Sequence, residues 1–373
     1  MLSKNVTTPL TELPIQTAGP PHAEELASFF ASQAVGSKAF AYRIDRSPDF
    51  FAYTRLQGHA HRVLLAATDR PLGVLSVVFD RVHLGGQATE VAYTGDLRLD
   101  PSARGQGLGD RLMRDGIRTA REHLGSDAPI VTAVMADNPG GLRKNANLER
   151  DGITRMRPIA EVDIAFVFPW TLRAPKSAFK LRQATPDDLP RMHALWRQVA
   201  PTRDLSRVYT LSDWEAWVNS PGLGIEAYTL AETPAGELAG FLAGWDMRPI
   251  RRFMLAQESA SQRWIRRTWN AARGVLGLPR FPKAGEALPF LAATNLCVAD
   301  PRAFVPLLHA NLARARASGA LFLGIALDRR DPLREALRGF LASRSTLLLL
   351  GNEVLPADSP DRERIYHVEI AMG

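Results

Sequence analysis

Apolar positions in the first 170 residues follow two periods. In PHAEELASFFASQ (residues 21–33), Leu26, Phe29 and Phe30 recur at helical spacing, and PDFFAYTRL (48–56) reads as a second short helix. Three strand-like runs follow: HRVLLAAT (61–68), LGVLSVVFD (72–80) and TEVAYTGDLRL (89–99). DRPLG and HLGGQ separate them, and such short turns imply antiparallel pairing. DRLMRDGIRTAREHL (110–124) sets Leu112, Ile117 and Leu124 among arginines, as an amphipathic helix does. A buried-type strand at APIVTAVMA, a short helix ending at Gly152 and two final strand runs, closing on EVDIAFVFPW, complete this half.

The remainder repeats the theme. KLRQATPDDLPRMHALWRQV is a strand then a helix, with Asp187 or Asp188 at the helix start. IEAYTLAETPAGELAGFLAGWDM is a hairpin turning at TPAGE. FLAATNLCVADP, PRAFVPLLHANLARARASG and ALFLGIALD match the third strand, long helix and next strand of the first half. One fold used twice is expected: a loose N-terminus to about residue 20, a domain over 21–170, a linker over 171–179 and a second domain over 180–373. The second domain carries a basic insertion at 248–285, where Ile265, Trp269, Ala272 and Leu276 share a helix face among Arg263, Arg266, Arg267 and Arg273. That helix is read as packed on the domain seam, with a lid or docking surface for an acidic or amphipathic partner as the sharper alternative. Six of the seven tryptophans fall in the second half, and core packing is expected for most of them.

Composition narrows the class. The 373 residues, 46% hydrophobic and 23% charged, fit a two-domain globular protein. A formal net charge of +7 suits an anionic ligand such as a nucleotide but is too diffuse to argue for nucleic acid. Cys297 is the only cysteine, which excludes an intramolecular disulfide and a multi-cysteine zinc site. MLSKNVTTPLTELPIQ lacks the apolar core of a signal peptide, and no apolar run reaches membrane-spanning length; STLLLLG stops after four leucines. A cytoplasmic location follows as the expectation.

Chemistry concentrates in SARGQGLGDRLM (102–113), between the third strand and the long helix. A Walker loop needs Lys-Ser or Lys-Thr after its last glycine, where Asp110 and Arg111 stand. The dinucleotide fingerprint needs a parallel βαβ unit, whereas antiparallel hairpins precede this loop. The stretch instead resembles the pyrophosphate loop of the GNAT superfamily of N-acetyltransferases, Gln/Arg-x-x-Gly-x-Gly/Ala, with Arg104, Gly107 and Gly109 in register. Successive backbone amides at a helix N-terminus make a positive nest for a pyrophosphate, and side chains there would block its approach. The element order over roughly residues 13–170 is that of the same superfamily.

The resemblance implies an α/β (α+β) chain of two GNAT-like domains, each a mixed, mostly antiparallel sheet flanked by helices. It implies acetyl-CoA as cosubstrate, no metal, and transfer to a small-molecule or protein amine, compatible with a homodimer. Cofactor contacts are then expected from the backbone of Leu97, Arg98 and Leu99, from Arg104, Gly105, Gln106, Gly107, Leu108, Gly109 and Asp110, and from Asn138 after the next strand. The amine must lose a proton, because an alkyl ammonium has a pKa near 10. Asp96, Tyr93 and Glu90 are the candidates to manage it, with the backbone at Leu99 as oxyanion donor. The tyrosine that often protonates the leaving thiolate in this family aligns with Leu148, so the general acid is unassigned and a non-catalytic acyl-CoA-binding protein stands as the alternative. An aminoacyl transfer enzyme on doubled GNAT-like domains would have no need of the intact loop. In the second half, Pro301, Ala303 and Phe304 occupy the loop position, implying a degenerate domain without the nest. His59 with His61, and Cys297 with His309, are read as ordinary residues rather than a metal pair or a nucleophile pair.

Overall fold

The computed structural model describes residues 12–36, 41–170, 176–356 and 364–372. The first half runs β1 (Ile15–Ala18), α1 (Ala23–Ser32), β2 (Ala34–Gly36), β3 (Ala41–Asp45), α2 (Phe50–Gln57), β4 (Ala60–Ala67), β5 (Pro71–Leu84), β6 (Gln87–Leu99), α3 (Leu108–Leu124), β7 (Ile130–Met135), α4 (Pro139–Arg150) and β8 (Arg157–Val167). The second runs β9 (Lys180–Gln183), α5 (Leu189–Val199), β10 (Arg203–Asp204), α6 (Leu211–Val218), β11 (Tyr228–Glu232), β12 (Leu238–Trp245), β13 (Arg252–Leu255), α7 (Ala260–Leu276), β14 (Phe290–Val298), α8 (Phe304–Ala317), β15 (Phe322–Asp328), α9 (Leu333–Ala336), β16 (Ala342–Gly351) and β17 (Ile365–Tyr366).

Local chemistry sets most of these boundaries. Asp49 caps α2 by accepting from the Phe51 amide at 2.9 Å, and Ser259 with Gln262 forms a capping box on α7. β5 is buried continuously from Pro71 to Phe79 because helices cover both of its faces. On one side Leu112, Met113 and Ile117 of α3 pack with Leu75, Val77 and Phe79. On the other, Phe29, Phe30, Phe50 and Phe51 of α1 and α2 cover Val63, Leu65 and Val74. In the second half Trp196, Trp214, Trp217 and Trp245 form one aromatic core, as expected, and Tyr53 of α2 joins it, binding the halves together.

One twelve-stranded sheet spans the molecule in the order β1-β4-β5-β6-β7-β16-β8-β15-β14-β12-β11-β9. The two halves exchange their last strands. β16 inserts between β7 and β8, antiparallel to both, while β8 pairs onward with β15. This corrects the expectation of two final strands in the first half: β8 is the one present, and the neighbour it needs comes from the STLLLLG run nearly two hundred residues later. An exchange at that separation leaves no trace in local periodicity. Residues 15–18, expected to be loose, form β1 and pair with β4. Residues 1–11 and the linker residues 171–175 lie outside the described part.

The insertion does form a helix, α7, whose expected apolar face is only partly covered. Trp269 packs, its indole N–H donating to the Pro279 carbonyl at 2.8 Å, while Trp264 is 67% exposed, Val275 92% and Ile265 49%. Among the described residues no helix is long and apolar enough to cross a membrane.

Candidate active site

Two features of β6 define the site. The first is a splay. β6 pairs in parallel with β7 only at Ala92, Tyr93 and Thr94, where the Thr132 hydroxyl donates to the Thr94 carbonyl at 2.7 Å. Beyond that point β7 follows β16, and the edge of β6 from Gly95 to Leu99 is left facing a wedge. The second is a bulge. The β5–β6 register shifts between Val74 and Ser76, so Asp96 and Leu97 together face Leu75, and Asp96 takes a φ of 58°. Alternation then sends Leu97 and Leu99 into the core under α3, and Arg98 to the other face, over the Phe30 ring at 5.5 Å.

At the end of β6 the glycine-rich turn opens α3. Gly105 (φ 76°) and Gly107 (φ 79°, the N-cap of α3) lie in the left-handed region, which explains why glycine is needed at both. A Cβ on Gly105 would meet nothing within 4 Å, so conformation rather than crowding selects it. Gly109 is different: a Cβ there would sit 2.9 Å from Leu99 Cδ1 and 3.2 Å from Lys144 Cε, so it seats α3 on β6 and α4. Among the described residues, the amides of Gly105, Gln106, Gly107, Leu108 and Gly109 have no protein acceptor. Five free donors at the positive end of a 17-residue helix fit a pyrophosphate. The flanking side chains shape the turn. Gln106 donates to the Ser102 carbonyl at 2.6 Å, Arg104 donates to the Leu99 carbonyl and to Gln33 Oε1, each at 3.3 Å, and Asp110 ties α3 to Lys144 (2.6 Å) and Asn147 (2.8 Å) of α4. Leu108 is wholly buried beneath them. Asn138 caps α4, its Oδ1 accepting from the Gly141 amide at 3.0 Å.

The three proton-handling candidates separate in space. Asp96 and Tyr93 stand in one buried polar cluster, where Gly95 leaves room for the Tyr93 ring. Glu90 is half exposed beside His59, 3.6 Å away, and six residues back along the strand, about 20 Å from Asp96 at ~3.3 Å per residue. The cluster has further members that sequence reading passed over. Arg46, fully buried, reaches both Asp96 oxygens with Nη2 at 2.7 and 2.8 Å, and its guanidinium lies among the Phe30, Phe50 and Tyr53 rings. Arg251, from the second half, donates to the Tyr53 hydroxyl at 2.7 Å and stacks on Tyr53 and Phe253. Burial pushes the Asp96 carboxyl upward, but the charges of Arg46 and Arg251 and the Arg46 hydrogen bond outweigh it and hold Asp96 below the usual carboxylate range. Burial raises the Tyr93 phenol well above its ordinary value, so it is neutral at physiological pH. Leu148, at the position of the family's tyrosine, is 2% exposed and part of the α3–α4 core.

The second half repeats the bulge and not the site. β12 and β14 shift register between Phe241 and Ala243, and Asn295 (φ 49°) stands where Asp96 does. Its Oδ1 accepts from Trp217 Nε1 at 2.6 Å and from the Tyr228 hydroxyl at 2.7 Å. The parallel pairing of β14 with β15 ends at Ala292, opening a second wedge, and the C-terminal segment fills it. Glu369 enters there, accepting from the Asn295 amide at 2.8 Å and from the Thr294 hydroxyl. The following turn, Asp300–Ala303, passes directly into α8 with no left-handed residue. Cys297 is buried, its thiol pushed far up by desolvation, and no group of three metal-binding side chains occurs among the described residues.

Residues 24–143 match the family model described as Acetyltransferase (GNAT) family. A search of curated protein sequences finds no match. Solved structures similar to this chain include a GCN5-related N-acetyltransferase from Sphaerobacter thermophilus (16% identity, 93% of this chain and 97% of that one, TM-score 0.53). A tandem GNAT protein from the clavulanic acid biosynthesis pathway matches at 14% identity over 93% of this chain and all of that one, with TM-score 0.55. Saccharomyces cerevisiae N-myristoyltransferase with bound myristoyl-CoA matches at 10% identity over 96% and 86%, with TM-score 0.63. Residues 24–143 thus match the GNAT acetyltransferase family model, and the chain as a whole has the fold of a tandem GNAT protein.

Proposed function

We propose that this protein is an acyl-CoA-dependent N-acyltransferase, with acetyl as the expected acyl group and a single active site in its first half. The observation that carries the reading is an alignment along one strand. The turn with five free amides, the open edge of β6 and the Asp96 bulge follow one another from Gly109 back to Gly95. Bound acyl-CoA would supply an activated thioester. The amides of residues 105–109 would hold its pyrophosphate, and the open edge of β6 offers backbone N–H groups to the thioester oxygen. Asp96, ionised at neutral pH, accepts a hydrogen bond from the incoming amine and orients it toward the wedge. A carboxylate held this low is a poor final base for an ammonium proton, so the proton passes on to water, with the neutral Tyr93 hydroxyl beside the path. With leucine at position 148, the departing thiolate has no hydroxyl from α4 and takes its proton from solvent.

That same leucine favours the second reading, a protein that binds acyl-CoA without turning it over. Incubating the protein with acetyl-CoA and a panel of amines, and following free thiol, separates the two. Amine-dependent thiol release is expected. Tight coenzyme A binding with no release for any amine would favour the binding protein.

A further inference from the structure

The charges around Asp96 do not balance. Three arginines, Arg46, Arg98 and Arg251, act on this one carboxylate. Arg46 takes both of its oxygens. Arg251 is turned toward Tyr53 and Phe253. Arg98 is part-buried, lies 5.5 Å from the Phe30 ring centre and, among the described residues, makes no hydrogen bond or ion pair. It sits two residues from Asp96, on the face of β6 away from the α3 core, toward α1. Desolvation disfavours its charged form, the Asp96 charge works against that, and the charges of Arg46 and Arg251 add to it.

An arginine remains protonated in such a place, and a part-exposed guanidinium with idle donors is suited to an anion. Its planar fork matches a carboxylate, and charge-assisted bonds of this kind are among the strongest a site can offer. Asp96 with the amine, and Arg98 with an anion, would hold the two ends of one zwitterion. Resting on the transferase reading above, we infer that Arg98 is the subsite for a carboxylate carried by a reactant at the transfer centre, the acceptor being an amine that also bears that carboxylate. The remaining source of the same chemistry is a carboxylate on the acyl group.

The test compares matched pairs. With acetyl-CoA, each of the proteinogenic amino acids is set against its decarboxylated amine, such as L-leucine against 3-methylbutylamine. Separately, succinyl-CoA is set against butyryl-CoA with 3-methylbutylamine as acceptor. A charge-assisted bond is worth about 10- to 150-fold, so at least one carboxylate member should exceed its partner in kcat/KM by about that factor. Arg98→Gln should collapse the ratio toward one and Arg98→Lys should restore part of it. Preference in the first comparison places the carboxylate on the acceptor, and preference only in the second places it on the acyl group. Calorimetry on the coenzyme A complex, with the same amino acids and amines, reads binding without turnover. Carboxylate-selective binding lost in Arg98→Gln would therefore support the subsite even where no transfer occurs. Equal binding and turnover of both members of every pair would overturn it. So would an Arg98→Gln variant whose defect is lost affinity for coenzyme A itself, which would make Arg98 a cofactor ligand.

Discussion

Gly107→Asp tests the phosphate-binding assignment most directly. Gly107 has φ 79° and ψ −12°, a conformation that asparagine and aspartate tolerate better than other side chains, so the variant is expected to fold. The backbone penalty for an L-residue there is about 1–2 kcal/mol, a modest loss of stability. The new carboxylate would stand at the N-cap of α3, where it competes for the first-turn amides meant for the ligand. It would also repel the pyrophosphate. Two unit charges 4 Å apart at an effective dielectric of about 20 interact by about 4 kcal/mol. The turn lies at the surface, so screening reduces this to about half, and about 2 kcal/mol is a roughly 30-fold weaker affinity. Gly107→Ala is the control, because it carries the backbone penalty without the charge and should weaken binding far less. Calorimetry with coenzyme A gives both affinities, and thermal melting shows that both variants are folded. A folded Gly107→Asp protein that binds coenzyme A like the wild type would refute the assignment.

Three further outcomes follow from the packing. Calorimetry should give one coenzyme A per chain, because Glu369 and its neighbours fill the second wedge and the turn after β14 has no free cradle; a ratio near two would contradict this. Burial pushes the Glu369 carboxyl up, yet the His367 contact, the Thr294 hydroxyl and the Asn295 amide hold it below its ordinary 4.5, so its stabilisation is complete above that value and is lost as pH falls through the lowered one. Glu369→Gln should therefore cost about 1–3 kcal/mol at pH 7 and flatten the stability loss below pH 4.5, both measurable by urea unfolding across pH. Trp264→Ser and Val275→Ser, on the solvent side of α7, should each change stability by less than about 0.5 kcal/mol, and a loss above about 2 kcal/mol would reveal packing at that face.

The sequence by itself determined the local elements and the glycine-rich turn. Periodicity located α1, α2 and α3, since each buries a face that its own spacing declares, and apolar runs bounded by turns located the β4–β5–β6 meander. Arg104, Gly107 and Gly109 could be read because the demand they meet is local: left-handed backbone at one position, close helix–strand contact at another. Asp96 and Tyr93 were legible as candidates, and both lie on β6 in one cluster, while the loss of the loop at Pro301 and Phe304 was visible directly. Tertiary structure decided what depends on distant pairing. The exchange of β8 and β16 joins segments that no window of sequence compares. The counter-charge of Asp96 comes from Arg46, which looks like an ordinary polar loop residue, and from Arg251, which reads as part of a basic insertion. Neither carries a pattern, because a buried ion pair needs only one charge of each sign at the same point in space. Spacing grouped Ile265, Trp269 and Ala272 on one side of α7, but it says which residues share a face and not how fully a neighbouring segment covers it: Trp269 packs while Ile265 is exposed.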